Sequence, residues 1–310
     1  MSMRRQALFA PAILSTVAIF TTIAGCGGGD GDDASLSPGT SGNGVVSIAL
    51  TDAPVDFAST VMVEFTGIEL TPQTGNRITV NIDPARAVDL LKLQDGVTLT
   101  LLQNQSVPAG NYTRVRFIVN ASGSNNHSYV DLITGERYPL VIPTGGDAGL
   151  TLDRTFSVAK DGRVDFTVDF DLRKSIVSTV SLDGNYAFKP LLRVVDNTQA
   201  GTISGTVGPN LVGGVCEPYV YVFSGANVVP DDIDLASDID PLVSVPVKLN
   251  TSSGLYTYRA SFLEPGNYTV SFTCTNLKQD DPELEELLTF SRTLQATVAA
   301  GKTATVDFSN

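Results

Sequence analysis

The stretch Arg163 to Leu172, RVDFTVDFDL, alternates without a break. Val164, Phe166, Val168, Phe170 and Leu172 fall on one side of an extended chain, and Arg163, Asp165, Thr167, Asp169 and Asp171 fall on the other. This period of two is what a strand with one buried face requires. The polar side is expected to face water.

The same pattern recurs along most of the chain. VVSIAL (Val45 to Leu50), TVMVEFTGIEL (Thr60 to Leu70), RITVNI (Arg77 to Ile82), VTLTLL (Val97 to Leu102), YTRVRFIV (Tyr112 to Val119), RYPLVI (Arg137 to Ile142) and YAFKPLLRVV (Tyr186 to Val195) all read as strands between turns. Gly 28, Pro 16 and no Trp, with Val and Thr frequent in short apolar runs, point the same way. The expected class is all-β, as two β-sandwich domains in tandem. One short helix is predicted over Ala85 to Leu93, ARAVDLLKL, with Val88, Leu90 and Leu91 inward and Asp89 toward solvent or a nearby backbone.

At 310 residues the chain is long enough for two cores. After Asp196 the composition shifts: residues 201–310 carry 13 acidic against 5 basic side chains, while residues 44–200 carry 17 against 13. The expected organisation is a leader over 1–25, a flexible acidic tether over 26–43, and sandwiches over 44–198 and 201–310. PAGNYT (Pro108 to Thr113) and EPGNYT (Glu264 to Thr269) nearly repeat each other, which reads as one turn-then-strand device used twice. No longer period accompanies it.

Met1 to Gly25 starts with Arg4 and Arg5, continues with an apolar stretch from about Ala7 to Ile23, and ends in small residues before Cys26, the layout of a secretory signal. The stretch contains Pro11 and falls short of the roughly 20 residues of a spanning helix, so a permanent anchor helix is the weaker reading. Ile23-Ala24-Gly25-Cys26 resembles the bacterial lipobox. That resemblance implies cleavage before Cys26 and acyl chains on its thiol and amine, holding the mature protein at a membrane without a span. An ordinary signal peptide with an incidental Cys is the alternative. Gly27 to Gly44 then reads as a flexible tether. Gly27 in place of Asp after the Cys resembles lipoproteins sorted to the outer membrane of Gram-negative cells.

With Cys26 lipidated, Cys216 and Cys274 remain. Outside the inner membrane a pair is expected to oxidise; metal ligation is the alternative, and two thiols without a nearby His make a poor zinc site. The formal net charge of -13, with no Lys/Arg cluster after Arg5, argues against nucleic acid as a partner.

VVSIALTDAPVDF, VDLLKLQDG, PAGNYTRVRFIV and DFDLRKSIV followed by YAFKPLLRVVD occur in this order over about residues 44–197, and together they resemble the bacterial lipoprotein family known as domain of unknown function 4382. The resemblance implies an all-β fold and supplies no activity. GTISGTV (Gly201 to Val207), LEPGNYTVSF (Leu263 to Phe272) and AAGKTATVDF (Ala299 to Phe308) resemble carboxypeptidase-regulatory, transthyretin-like sandwich modules, which are usually accessory or adhesive. The Cys pair and the Asp231 to Asp240 insertion depart from that pattern.

No catalytic constellation emerges. The one histidine, His127, lies in a polar loop (Ser122 to Ser128), which leaves no Ser/His arrangement and no multi-His metal site. Asp52 and Asp56 in TDAPVDF read either as an Asx-type turn before Pro54 or as calcium ligands together with Asp165, Asp169 or Asp171. The three Asp residues on one strand face repel each other unless a cation, or Arg173 and Lys174, offsets them. Asp231, Asp232, Asp234, Asp238 and Asp240 offer a second set of carboxylates, without EF-hand spacing; a solvated acidic loop is the plainer reading. Tyr219 and Tyr221 share a face, as do Tyr256 and Tyr258, and are expected to pack before they bind a glycan. Glu283 to Leu288, ELEELL, is expected to start a short helix.

The sequence therefore leads to a lipid-anchored envelope protein with a binding or structural role, meeting an envelope protein or glycan. A calcium- or glycan-dependent ligand binder is the second reading, and a hydrolase with dispersed carboxylates is the third.

Overall fold

The computed structural model describes residues 42–53, 55, 57–121, 127–142, 150–178, 186–189, 191–214, 216–233, 239–275 and 288–309. Cys26, Asp56, Asp234 and Asp238, and most of the ELEELL stretch, lie outside these.

The regular structure of the described residues is almost wholly strand. In order the strands are β1 (Asn43–Ala53), β2 (Ala58–Pro72), β3 (Ile78–Asp89), β4 (Leu99–Pro108), β5 (Gly110–Val119), β6 (Tyr129–Leu132), β7 (Arg137–Val141), β8 (Leu150–Val158), β9 (Arg163–Asp171), β10 (Ile176–Ser178), β11 (Tyr186–Phe188) and β12 (Leu191–Asp196). They are followed by β13 (Gly201–Val207), β14 (Glu217–Ser224), β15 (Val243–Pro246), β16 (Lys248–Asn250), β17 (Leu255–Leu263), β18 (Gly266–Thr275), β19 (Phe290–Val298) and β20 (Thr303–Thr305).

The N-terminal half layers a sheet of order β12-β9-β1-β4 on a larger one of order β10-β11-β7-β6-β2-β5-β8, with β3 also paired to β2. Its core interleaves Val46, Ile48, Leu50 and Val168 of the first sheet with Val61, Val63, Phe65 and Phe117 of the second. Phe170 joins the layers, its ring 6.3 Å from Phe65 and 6.1 Å from Phe117. The C-terminal half repeats the plan with sheets β16-β17-β13-β20 and β15-β14-β18-β19. Its own core sets Ile203, Tyr258 and Ala260 against Val220, Val270 and Phe272.

β2 shows how strict the alternation is. Val61, Val63 and Phe65 point inward, and then the phase slips to Ile68 and Leu70. The pairing with both β3 and β5 shifts register between Phe65 and Gly67, so a bulge at Thr66 absorbs the extra residue and returns the apolar side to the core.

The helix expected over 85–93 does not form. β3 runs on to Asp89, with Val88 opposite Val63 and Asp89 opposite Met62, and only Leu90 to Lys92 turn, as a single 3₁₀ turn that buries Leu90. Ladder bonds to β2 outweigh the weak helical preference of so short a segment. β3 tolerates Pro84 because it pairs on one side only.

The near-repeated PAGNYT and EPGNYT are one device. The Tyr112 hydroxyl donates to the Pro108 carbonyl at 2.8 Å, and the Tyr268 hydroxyl donates to the Glu264 carbonyl at 2.6 Å. Each ties a strand start to the turn four residues upstream, the arrangement of a tyrosine corner. Burial pushes both phenols above their ordinary range.

Candidate functional site

Past Asp165 the polar side of β9 does not face water. Thr167 is buried and Asp169 is only 8% exposed, because the C-terminal half packs on this side of the sheet. Alternation reports two faces of different chemistry; here the polar face is a seam. The connection that folds the chain back is pinned. The Asn197 amide donates to Asp165 at 2.9 Å and accepts from Thr167 Oγ1 at 2.8 Å, while Asp196 Oδ1 accepts from the Thr198 backbone N–H at 2.8 Å.

Charged side chains cross the seam along its length. Arg193 of β12 stands opposite Asp169 in the ladder, pairs with it at 2.5 Å, and also donates to the Phe262 carbonyl of the C-terminal half. Lys174 lies in the single helical turn α1 (Leu172–Ser175) and reaches Asp240 at 2.7 Å. Lys248 pairs with Asp95, and Arg154 meets Glu264 at 3.5 Å. Arg173, 5% exposed, lays its guanidinium over the Tyr219 ring at 5.5 Å and donates to the Tyr221 hydroxyl at 3.4 Å. Gly96 sits at a close approach of the halves: its φ is +83°, and a Cβ there would lie 2.6 Å from Ser261 Oγ.

The nominated carboxylates thus divide. Asp52 closes β1 and lines a small polar cavity with Asp169, Arg259 and Ser261. Asp165 is held by Asn197 and, at 3.5 Å, by Arg163. Asp169 is held by Arg193, a residue the sequence reading passed over although it occupies the polar phase of LLRVV. In the acidic stretch Asp232 is buried, not solvated, and accepts no loop-like exposure; its N–H donates to Asp231 at 3.2 Å, and Asp240 serves Lys174. Among the described residues no group of three or more His, Cys, Asp or Glu is placed to hold a metal ion.

Asp171 is the exception among them. Its carboxylate accepts the Lys174 backbone N–H at 3.4 Å and lies 3.9 Å from Lys174 Nζ, and among the described residues no shorter partner approaches it. Burial pushes this carboxyl above its ordinary value, and the neighbouring Asp169 charge adds to the rise against Lys174 and Arg173. Asp171 lines a cavity of about 260 Å³ between the halves, with Leu191, Leu192, Arg193, Asp240 and Leu242. The folded chain holds this proton more tightly than the unfolded chain, so the group's contribution to stability declines as pH rises above 3.8. Asp171→Asn keeps a capping side chain for α1 and is expected to raise the urea midpoint at pH 7 with little change at pH 3.

Elsewhere, His127 Nδ1 lies 2.9 Å from Glu64. Hydrogen bonds from Asn120 and then His127 hold the Glu64 carboxyl below its usual range. Tyr221 is buried and Tyr219 lies under Arg173, so this pair packs, as expected. Cys216 and Cys274 form a disulfide with Cα atoms 5.3 Å apart, joining the start of β14 to the end of β18.

Residues 43–190 match the model of the family described as domain of unknown function, DUF4382. The match covers the N-terminal half from β1 through β11. The charged turn Asp171 to Lys174 and all of β9's polar face therefore lie within the matched segment, while Arg193 lies just beyond it. No curated protein matches the chain. Among solved structures it is similar to the Bacillus anthracis TIE protein, at 11% identity and TM-score 0.21, over 87% of this chain and 34% of that one. It is also similar to GBS52, the minor pilin of Streptococcus agalactiae, at 12% identity and TM-score 0.21, over 85% and 94% of the two chains. A third is BcpA, the major pilin subunit of Bacillus cereus, at 12% identity and TM-score 0.21, over 86% and 99%. The chain spans about a third of the TIE protein's length. Among the described residues no helix is long and apolar enough to cross a membrane.

Proposed function

We propose that this chain is a lipid-anchored bacterial envelope protein, sorted to the outer membrane, whose two β-halves work as one interaction body without catalysis. In this reading Cys26 carries the lipid, residues 26–43 are the tether, and an immunoglobulin- or transthyretin-like module follows the DUF4382 domain from about residue 201. The observation that carries the non-catalytic reading is the seam. Asp165, Asp169 and Asp240, which the sequence offers as ligands or acids, are engaged by Asn197, Arg193 and Lys174, an arrangement suited to holding two modules together.

Intact-mass spectrometry of protein purified from membranes tests the anchor. The expected product begins at Cys26 and carries added acyl mass; Cys26→Ala moves the protein to the soluble fraction. Mature protein with an unmodified Cys26, or a leader still attached, ends this reading.

A further inference from the structure

We propose that the seam cavity is a binding site for a small primary ammonium ion with a short apolar body, its charge received by Asp171. The site is nothing the family match assigns, and it goes beyond the anchored-interaction reading: amine binding and Cys26 acylation stand or fall separately.

Three observations converge. The cavity, about 260 Å³, is larger than packing defects inside close-packed interiors and lies between two modules, where small-molecule sites concentrate. Its walls divide by chemistry. Leu191, Leu192, Pro241, Leu242 and Val243 supply apolar surface, and Leu191 is 53% exposed, a large apolar side chain left at the mouth.

The charged lining is the second observation. It holds Asp169, Asp171 and Asp240 against Lys174 and Arg193. Lys174 Nζ is committed to Asp240 at 2.7 Å, and Arg193 to Asp169 at 2.5 Å and to the Phe262 carbonyl. Arg173, the remaining cation near Asp171, is turned onto Tyr219 and Tyr221.

That leaves Asp171 as the third observation: a carboxylate in the wall whose direct partners among the described residues are a long backbone N–H contact and a distant Lys174. A ligand ammonium supplies the charge-assisted hydrogen bonds this oxygen pair lacks. Its alkyl portion then covers the leucines at the mouth. A carboxylate or phosphate ligand is disfavoured, because both cations of the lining already hold acids. The amine must meet the charged form of Asp171, so affinity is expected to fall as pH drops through the raised value of that carboxyl.

The test is calorimetric titration of the full chain in detergent with n-butylamine, methylamine and n-butanol at pH 8. Butylamine is expected to bind, methylamine to bind at least several-fold more weakly for want of the apolar contact, and butanol to give no saturable heat. Asp171→Asn is expected to weaken butylamine at least tenfold, the scale of one lost hydrogen bond to a charge. Asp153→Asn, an exposed acid away from the cavity, is expected to leave it unchanged. Leu191→Asn, at a position too exposed to threaten the fold, is expected to narrow the difference between butylamine and methylamine. Equal heats from butylamine and butanol, or undiminished butylamine binding by folded Asp171→Asn, overturn the proposal.

Discussion

Replacing Cys216 and Cys274 together by serine is expected to destabilise the C-terminal half by about 4 kcal/mol, the chain-entropy value for a loop of this size. The bridge spans 58 positions and ties the first turn before β14 to the last residues of β18, two strands that already pair directly. The closed loop is long, so the unfolded chain gains considerable freedom when the link is lost. The N-terminal half contains no cysteine and serves as the internal reference. Urea titration with and without reductant should move only the transition reported by the C-terminal half. Coincident curves in both conditions would show that the bridge contributes nothing to equilibrium stability.

The second large effect belongs to Arg193. Arg193→Ala strands Asp169 beneath the C-terminal half and frees the Phe262 carbonyl, and losing one partner of such a buried pair costs about 3 to 5 kcal/mol. Part of that loss should appear as uncoupling: proteolysis at residues 197–200 should accelerate in the variant before either half unfolds. Removing both charges, as Arg193→Met with Asp169→Leu, should recover most of the stability, because the desolvation cost of both ions disappears with their attraction. Recovery in the double variant separates a charge-pair role from simple loss of packing.

Both halves were legible in the sequence to the extent that alternation governs them. Phe166, Val168 and Phe170 lie in the core and Val164 packs against its margin as their phase requires, and the paired N-Y-T turns announced a shared device whose hydrogen bond only the structure displays. The bulge at Thr66, which the sequence reading did not anticipate, accounts for the slip in the apolar phase of TVMVEFTGIEL. What alternation leaves undetermined is what lies against the polar face. Asp165, Asp169 and Asp171 read the same whether water, calcium or a second module covers them, because a carboxylate is compatible with all three. The decisive partner, Arg193, is 24 residues from Asp169 and came within reach only through β12's pairing with β9. Ala85 to Leu93 misled for a related reason: its apolar spacing fits a helix, but the neighbouring edge of β2 was available to it.

β1 follows directly on the proposed tether, and it lies inside its sheet, between β9 running parallel and β4 running antiparallel. A pull transmitted through Asn43 along the strand therefore has no free border to peel: it must slide β1 past two ladders at once, rupturing their bonds together. Drag on a protein held at a cell surface would be borne by the most resistant geometry its sheet offers.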